Sequence, residues 1–184
     1  MLLHRAFLIP IKMISYKQKL NQISTFIFDV DGVFTDGKVY LMKDDNFRAF
    51  NSKDGYAVQY ASKMGYKVFI ITGGHSIEVR DRLLGLGVTE VHLRTHNKLI
   101  CYDDILLRHS IKDEQVLYMG DDIPDIPVLK RVGVSSCPQD AVIDIKSFVD
   151  YQSPFNGGQT CVRDVIEQTL RVQGKWLSDL AFEW

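Results

Sequence analysis

Residues 23–33 read Ile-Ser-Thr-Phe-Ile-Phe-Asp-Val-Asp-Gly-Val, an apolar run that leads directly into two acidic residues. The run Ile23–Phe28 is rich in β-branched and aromatic side chains, which is typical of a buried strand. Lys67–Ile71 (KVFII) and Val116–Met119 (VLYM) repeat this pattern. Three shorter runs are weaker strand candidates: Glu90–Leu93, Gly133–Ser135 and Phe148–Asp150.

Amphipathic segments with apolar residues at three- and four-residue steps lie between these runs and predict helices. They are Lys53–Met64, His75–Leu84, Lys98–Arg108 and Val162–Val172. Strands that alternate with helices form βαβ units, which build a parallel sheet with right-handed crossovers. The sequence therefore predicts an α/β fold, a Rossmann-like three-layer sandwich with a parallel central sheet.

One segment departs from this alternation. Lys38–Tyr40 and Phe47–Phe50 flank the polar stretch Lys43-Asp44-Asp45-Asn46, a pattern that predicts a β-hairpin at about residues 38–50. The remaining chain leaves no space for a second domain, so residues 14–173 are interpreted as one domain with a hairpin insertion. Residues 174–184 form a C-terminal tail. Residues 1–13 are interpreted as a dispensable extension before an alternative start at Met13, and the sequence leaves open whether they are ordered.

The composition narrows the class of protein. The 184 residues are 46% hydrophobic and 24% charged, and the net charge is -1, whereas nucleic-acid binders usually carry a basic excess. No apolar run of about 18 residues is present, so no membrane span is expected. Three scattered cysteines without zinc-type spacing are typical of reduced side chains in a cytosolic protein. We therefore expect a cytoplasmic protein that binds neither nucleic acid nor membrane.

Acidic residues cluster after two of the strong strands. Asp29 and Asp31 follow the first strand, and Asp121 and Asp122 follow the strand Val116–Met119. Ligands of open parallel sheets bind outside the carboxyl ends of the strands, and Mg²⁺ prefers carboxylate and water ligands. The alternative is that these residues only form turns and helix caps. Two such motifs, each after an apolar run, favour a magnesium site.

The Asp-x-Asp spacing also has a chemical meaning. Side chains at positions i and i+2 of an extended strand end share a face, so one carboxylate can attack phosphorus while the other protonates the leaving oxygen. Phosphoryl transfer then needs positive charge around the phosphoryl oxygens. Thr72-Gly73 offers a hydroxyl and backbone N–H groups, and Lys98 offers an ammonium. Taken singly, a Thr-Gly pair is usually a turn and a lysine is usually a solvated surface residue.

Together these segments resemble the four ordered motifs of the haloacid dehalogenase superfamily, over roughly residues 23–173. The motif residues are Asp29-Val30-Asp31-Gly32-Val33, Ile70-Ile71-Thr72-Gly73, Lys98 and Gly120-Asp121-Asp122-Ile123-Pro124-Asp125. The resemblance implies that Asp29 is a nucleophile that forms an aspartyl-phosphate, and that Asp31 is the general acid and then the base.

The resemblance also implies the binding residues. Thr72, Gly73 and Lys98 would hold the phosphoryl group. Mg²⁺ would be held by Asp29, the backbone carbonyl of Asp31 and the side chain of Asp121, with Asp122 acting from further out or through water.

A narrower resemblance is to the 3-deoxy-D-manno-octulosonate 8-phosphate phosphatases of lipopolysaccharide sugar biosynthesis, in which a short hairpin replaces the large cap domain. The segments that carry it are Asp29–Gly37, Phe50–Tyr56 and the late Gly157-Gly158 with Val162-Arg163-Asp164. These enzymes are homotetramers whose hairpins meet and whose neighbouring subunits help to close the site. Arg82 is similar to the arginine that they direct at the substrate carboxylate, and the alternative is an exposed helix charge.

This sequence departs from its relatives at several positions. Phosphatases of nine-carbon sugar acids carry Glu and Lys where Gly74 and Gly85 stand, which favours the eight-carbon substrate. Many octulosonate phosphatases carry Arg at position 74 and Arg or Lys at position 159, where this chain has Gly74 and Gln159.

Three other functions stay open. A phosphatase of a related nine-carbon 2-keto-3-deoxy sugar acid phosphate is one alternative. A phosphoacceptor signalling module would present a similar acidic cluster, but such modules lack the second aspartate that Asp31 provides. A non-catalytic scaffold would use the hairpin and tail for assembly alone, although every motif position is filled.

Overall fold

Residues 15–41 and 46–183 are described in the computed structural model of this protein. Six strands form one parallel sheet. They are β1 (Thr25–Phe28), β4 (Lys67–Ile71), β5 (Glu90–His92), β6 (Val116–Met119), β7 (Val134–Cys137) and β8 (Tyr151–Gln152). The order across the sheet is β5-β4-β1-β6-β7-β8, which places β1 between β4 and β6 at the centre.

Helices cover both faces of this sheet. They are α1 (Tyr16–Lys19), α2 (Ser52–Lys63), α3 (Ile77–Gly85), α4 (Lys98–His109), α5 (Ile126–Leu129), α6 (Ile143–Lys146) and α7 (Cys161–Val172). Side chains of β1 alternate between two apolar cores: Phe26 and Phe28 join the core with α2 and α7, and Ile27 joins the core with α4 and α5. The predicted three-layer α/β sandwich is confirmed.

Most predicted elements are observed within one or two residues of their expected bounds. The strands β4 and β6 begin and end at the predicted residues. The strand predicted at Phe148–Asp150 is wrong, because the β8 pairing begins at Tyr151. At Asp150 the side chain makes the contact instead: its carboxylate accepts from the Ser135 backbone N–H at 3.1 Å. A carboxylate therefore replaces the backbone ladder at that position.

The predicted hairpin is confirmed by β2 (Tyr40–Leu41) and β3 (Asn46–Phe47), which pair antiparallel in the register Tyr40 with Phe47. The side chains of Tyr40, Leu41 and Phe47 are exposed. Residues 42–45 of the predicted turn and the predicted extension at residues 1–13 lie outside the described part of the chain. Across residues 15–41 and 46–183 there is no large cap domain.

The C-terminal tail packs on α2 of its own chain. The Tyr60 hydroxyl donates to the backbone carbonyl of Lys175 at 2.8 Å and accepts from the Ser178 backbone N–H at 3.0 Å. Trp176 packs edge-on against Tyr60, with ring centroids 5.4 Å apart. Tyr56 adds a hydrogen bond from its hydroxyl to the Ala181 carbonyl. None of the helices in the described residues is long and apolar enough to cross a membrane.

Candidate active site

Two neighbouring central strands deliver carboxylates to one edge of the sheet. Asp29 follows β1 and Asp121 lies two residues after β6, and the last residues of these strands, Phe28 and Met119, are paired. Carboxylate oxygens of Asp29, Asp121 and Asp125 lie within 4.8 Å of one another. The convergence that the sequence predicted for Asp29 and Asp121 is therefore present, and Asp125 joins them.

Asp29 is held in one orientation by two donors. The Val30 backbone N–H donates to one carboxylate oxygen at 2.7 Å, and the Lys98 ammonium lies 2.7 Å from the other. Burial and the negative charge of Asp125 raise the pKa of Asp29 to about 6, although Lys98 opposes this shift. Asp29 is thus a largely buried carboxylate, ionised near neutral pH and fixed at the edge of the sheet.

Lys98 begins α4, where the Asn97 side chain caps the helix by accepting from the Ile100 backbone N–H at 3.1 Å. Its side chain is 6% exposed, and its ammonium lies 2.7 Å from both Asp29 and Asp125. Burial alone would lower the pKa of Lys98, but the two carboxylates raise it above its ordinary value. Lys98 is therefore a charged group that bridges the carboxylates of Asp29 and Asp125. Its role in phosphate binding stays a prediction.

Asp125 orients this lysine, a role that its sequence position alone does not indicate. Besides Lys98, its carboxylate accepts from the Tyr118 hydroxyl at 2.5 Å and from the Asp121 backbone N–H at 3.2 Å. The residue is completely buried. Asp125 therefore connects Lys98 to the loop that carries Asp121. Its place in the motif Gly120–Asp125 was the signal available in the sequence.

Asp121 has an unused ligand atom. Its Oδ1 is buried and has no hydrogen-bond partner among the residues that the structure describes. Burial, then the charges of Asp29 and Asp125, raise the pKa of Asp121 to about 7. Gly32, at φ +82°, packs so closely that a Cβ there would overlap the Asp121 carboxylate. An unpartnered carboxylate oxygen beside two further carboxylates fits a divalent cation, which would offset their mutual repulsion.

Asp31 lines the same cavity as this cluster, and its carboxylate pairs with an arginine of the hairpin segment. Arg48 Nε lies 2.6 Å from Asp31 Oδ1, and Arg48 Nη2 donates to Asp31 Oδ2 at 3.1 Å. The Arg48 side chain is 8% exposed, so the pair is partly desolvated. No local sequence pattern marks Arg48, because its contact with Asp31 spans 17 residues and depends on how the hairpin folds back.

The remaining predicted residues divide into two groups. Thr72 and Gly73 follow β4 and line a cavity of about 470 Å³ together with Asp29, Asp31 and Lys98. The Thr72 hydroxyl accepts from the Gly74 backbone N–H at 3.0 Å, which fixes the turn. These five residues are brought together as predicted.

Asp122 and Arg82 lie further from the acidic cluster. Asp122 lines the same cavity but is exposed, and its carboxylate caps the next turn by accepting from the Ile123 backbone N–H at 2.7 Å. The structure does not bring the carboxylates of Asp31 and Asp122 into the cluster of Asp29, Asp121 and Asp125. Arg82 is exposed on α3 and lines a separate cavity of about 240 Å³, with Arg48 on its wall.

Replacing Lys98 by methionine is expected to destabilise the metal-free protein. The change leaves the buried carboxylates of Asp29 and Asp125 without their ammonium partner, and breaking a buried ion pair costs about 3–5 kcal/mol. Urea unfolding in the presence of a chelator measures this loss, with Lys112→Met at an exposed position as the control. A loss no larger than that of the control would contradict the charge balance described for the site.

The chain is similar to known phosphatases in sequence and in structure. No protein-family model matches the chain. The 3-deoxy-D-manno-octulosonate 8-phosphate phosphatase KdsC of Escherichia coli K12 is 39% identical over 158 residues, covering 85% of this chain and 84% of the relative. The solved structure of the Yersinia pestis phosphatase of that name has a TM-score of 0.85 and 34% identity, covering 87% of each chain.

A third relative was solved with ligands. The Moraxella catarrhalis 3-deoxy-D-manno-octulosonate 8-phosphate phosphatase has a TM-score of 0.85 and 28% identity, covering 88% of this chain and 93% of its own. That structure contains a magnesium ion, a phosphate ion and a KDO molecule. The level of identity to the Escherichia coli protein, sustained over most of both chains, establishes common family membership. This chain therefore belongs to the 3-deoxy-D-manno-octulosonate 8-phosphate phosphatase family of the haloacid dehalogenase superfamily.

Proposed function

We propose that this chain is a Mg²⁺-dependent phosphatase that hydrolyses 3-deoxy-D-manno-octulosonate 8-phosphate to the free sugar acid and phosphate, a step of lipopolysaccharide sugar biosynthesis. The observation that carries the proposal is the cluster of Asp29, Asp121 and Asp125 beside Lys98, in a cavity of about 470 Å³. The matched relatives bear the name of this activity.

Asp29 and Asp121 would hold the magnesium ion, together with the backbone carbonyl of Asp31, and Asp122 would act through water. The unpartnered Asp121 Oδ1 and the raised pKa values of Asp29 and Asp121 support this assignment. When bound, Mg²⁺ supplies positive charge next to the phosphoryl oxygens and keeps both carboxylates ionised.

The residues of this chain carry out the proposed chemistry in two steps. In the first, an Asp29 carboxylate oxygen attacks phosphorus, the bond to the sugar oxygen breaks, and Asp31 gives that oxygen a proton. In the second, Asp31 takes a proton from water, the water oxygen attacks phosphorus, and Asp29 leaves as the free carboxylate. Lys98, the Thr72 hydroxyl and the Gly73 backbone N–H bind the phosphoryl oxygens throughout.

Arg82 is proposed to bind the substrate carboxylate. The cavity of about 240 Å³ that it lines is also lined by Arg48, Ser76, Glu78 and the aromatic residues Phe47 and Phe50. The Ser76 hydroxyl donates to the Glu78 carboxylate at 2.8 Å. Arg48 also contacts Asp31, so this cavity adjoins the proposed phosphate site. A guanidinium suits a carboxylate through bidentate hydrogen bonding, and the aromatic side chains suit the sugar carbons.

We also propose that the chain works as a cytoplasmic homotetramer. The exposed apolar residues of the hairpin, Val39, Tyr40, Leu41 and Phe47, support the assembly because contiguous apolar patches mark interaction surfaces. Size-exclusion chromatography with light scattering tests it: a tetramer supports the proposal, and a monomer at micromolar concentration contradicts it.

A comparison of kcat/KM across substrates tests the activity. The panel contains phosphorylated eight- and nine-carbon 2-keto-3-deoxy sugar acids, simple sugar phosphates and p-nitrophenyl phosphate, each with Mg²⁺ and with chelator. We expect the eight-carbon substrate to have the highest kcat/KM and activity to vanish with chelator. A higher kcat/KM for the nine-carbon substrate, or metal-independent turnover, contradicts the proposal. In the same assay Arg82→Met should lower kcat/KM for the sugar acid phosphates and leave kcat/KM for p-nitrophenyl phosphate unchanged.

The half-saturating Mg²⁺ concentration is expected to rise as pH falls. Metal binding requires ionised carboxylates, and without metal the pKa values are about 6 for Asp29 and about 7 for Asp121. Below pH 7, protons therefore compete increasingly with Mg²⁺ for these two carboxylates. The half-saturating Mg²⁺ concentration should rise roughly a hundredfold from pH 7.5 to pH 5.5. Isothermal titration with Mg²⁺ at several pH values measures this. A constant value would contradict the assignment of these two ligands.

A further inference from the structure

Asp54 is a buried carboxylate with no role in the chemistry described above. It lies in the first turn of α2 and is completely buried. Its oxygens accept from the backbone N–H groups of Thr160 at 3.2 Å and Arg163 at 2.7 Å. Burial raises the pKa of Asp54 to about 6, so it is mostly ionised at pH 7.5.

These two N–H groups lie at the start of α7, whose own N-cap residue does not cap it. Thr160 has a φ of +78° and makes no side-chain capping hydrogen bond. The orphan donors at a helix N-terminus need acceptors, and an anionic side chain is the favourable one. Asp54 therefore caps α7 from another helix and fixes where α7 begins.

The residues just before α7 pack directly on the catalytic loop between Asp29 and Asp36. The Gly158 backbone N–H donates to the Val33 carbonyl at 2.9 Å. A Cβ at Gly157 would overlap the Gly32 carbonyl oxygen, and one at Gly158 would lie 2.9 Å from the Asp36 nitrogen. The Asn51 side chain adds a bond to the Gly158 carbonyl at 3.2 Å. The N-terminus of α2 thus holds the diglycine segment, residues 157–158, against this loop.

The catalytic loop in turn has little freedom relative to the acidic cluster. Gly32 packs against the Asp121 carboxylate with no room for a Cβ, and the diglycine segment packs against the Gly32 carbonyl oxygen. A shift of the diglycine segment would therefore move the backbone between Asp29 and Gly32 relative to Asp121. Groups that orient metal ligands without touching the metal typically change metal affinity by about 10- to 100-fold when lost.

We infer that Asp54 is a positioning residue for the metal site: through the start of α7 and the diglycine segment it sets the catalytic loop at the spacing from Asp121 that one divalent ion requires. Asp54 touches none of the proposed ligands. The inference rests on the proposed function, because it concerns the same metal site.

Mg²⁺ binding by isothermal titration calorimetry at pH 7.5 tests the inference on the full chain. In Asp54→Asn an amide NH₂ replaces one acceptor and faces an N–H donor, so the cap is lost with little change of volume. The dissociation constant for Mg²⁺ should rise by about tenfold or more. Thermal unfolding is measured in parallel, so that the titration is made where each variant is folded.

Asp164→Asn is the matched control. Asp164 also lies in the first turn of α7, but its carboxylate accepts from Tyr151 and Ser153 at 2.8 Å each, away from the catalytic loop. We expect it to lower the unfolding temperature and to change the Mg²⁺ dissociation constant less than twofold. Unchanged affinity in Asp54→Asn, or an equal change in Asp164→Asn, overturns the inference.

Two further variants keep the test decisive if Asp54→Asn does not fold. Gly157→Ala pushes on the Gly32 carbonyl directly, and Asn51→Ala removes the milder contact with Gly158. Both should weaken Mg²⁺ binding, with Gly157→Ala the larger effect, and unaltered affinity in both overturns the inference. If the wild-type chain itself does not bind Mg²⁺, the proposed function fails instead.

Discussion

The Asp29→Asn variant is expected to lose turnover by at least about 10⁴-fold, because an amide cannot act as the nucleophile that forms the phosphoenzyme. The variant should remain folded. Asparagine keeps the side-chain volume and removes one of three mutually repelling charges in the cluster with Asp121 and Asp125. Steady-state rates at saturating Mg²⁺, with circular dichroism and thermal unfolding, measure both expectations.

Asp103→Asn is the control for this substitution. Asp103 is an exposed residue of α4 whose carboxylate pairs with Arg131 at 3.2 Å. Surface pairs of this kind contribute little, so turnover should stay near the wild-type value. A folded Asp29→Asn protein with a tenth of the wild-type activity would refute the nucleophile assignment.

The Asp31→Asn variant is expected to lower kcat by about 10²- to 10⁴-fold, the range typical of general acid–base groups. The loss of rate should differ between phosphorylation of Asp29 and hydrolysis of the phosphoenzyme. With p-nitrophenyl phosphate the leaving group needs no proton, so phosphorylation of Asp29 stays fast while the attack of water becomes slow. The phosphoenzyme should therefore accumulate, and stopped-flow should show a burst of p-nitrophenolate close to the enzyme concentration.

This burst separates a phosphatase from a phosphoacceptor signalling module. A burst in Asp31→Asn, with fast linear turnover in the wild-type chain, identifies Asp31 as the group that activates water. A slow wild-type chain that also forms a long-lived phosphoprotein would favour the signalling module. A variant with no burst and nearly normal kcat would remove Asp31 from the mechanism.

The layers of the fold could be predicted because they depend on local patterns. Buried parallel strands are continuous apolar runs, so Lys67–Ile71 and Val116–Met119 were predicted with both bounds. Side chain to backbone bonds are not visible in such patterns. The Asp150 carboxylate accepts from the Ser135 backbone N–H, and the strand predicted at Phe148–Asp150 is observed three residues later, from Tyr151.

The acidic cluster was predictable only in part. Asp29 and Asp121 could be placed together because parallel strands end at one edge of the sheet. Asp122 and Asp125 could not be distinguished by spacing alone. The short helical turn after Asp122 directs its carboxylate to the Ile123 N–H, whereas Asp125 turns inward to Lys98. The proline within Ile123-Pro124-Asp125 is typical of the first turn of a helix, so it indicates a capping role for Asp122.

Contacts between distant segments could not be predicted from one sequence. The pairing of Arg48 with Asp31 depends on the fold of the hairpin, and the capping of α7 by Asp54 joins residues more than a hundred positions apart. The docking of the tail on Tyr60 is of the same kind. Such contacts follow from tertiary packing, which leaves no local periodicity in the chain.

The most direct test is where a single divalent ion binds. Crystals of the wild-type chain grown with Mn²⁺, which shares the preference of Mg²⁺ for carboxylate and water, can be measured for anomalous scattering. We predict one strong peak coordinated directly by a carboxylate oxygen of Asp29 and one of Asp121. A peak bound by one of these residues without the other, or none at this edge of the sheet, would contradict the account.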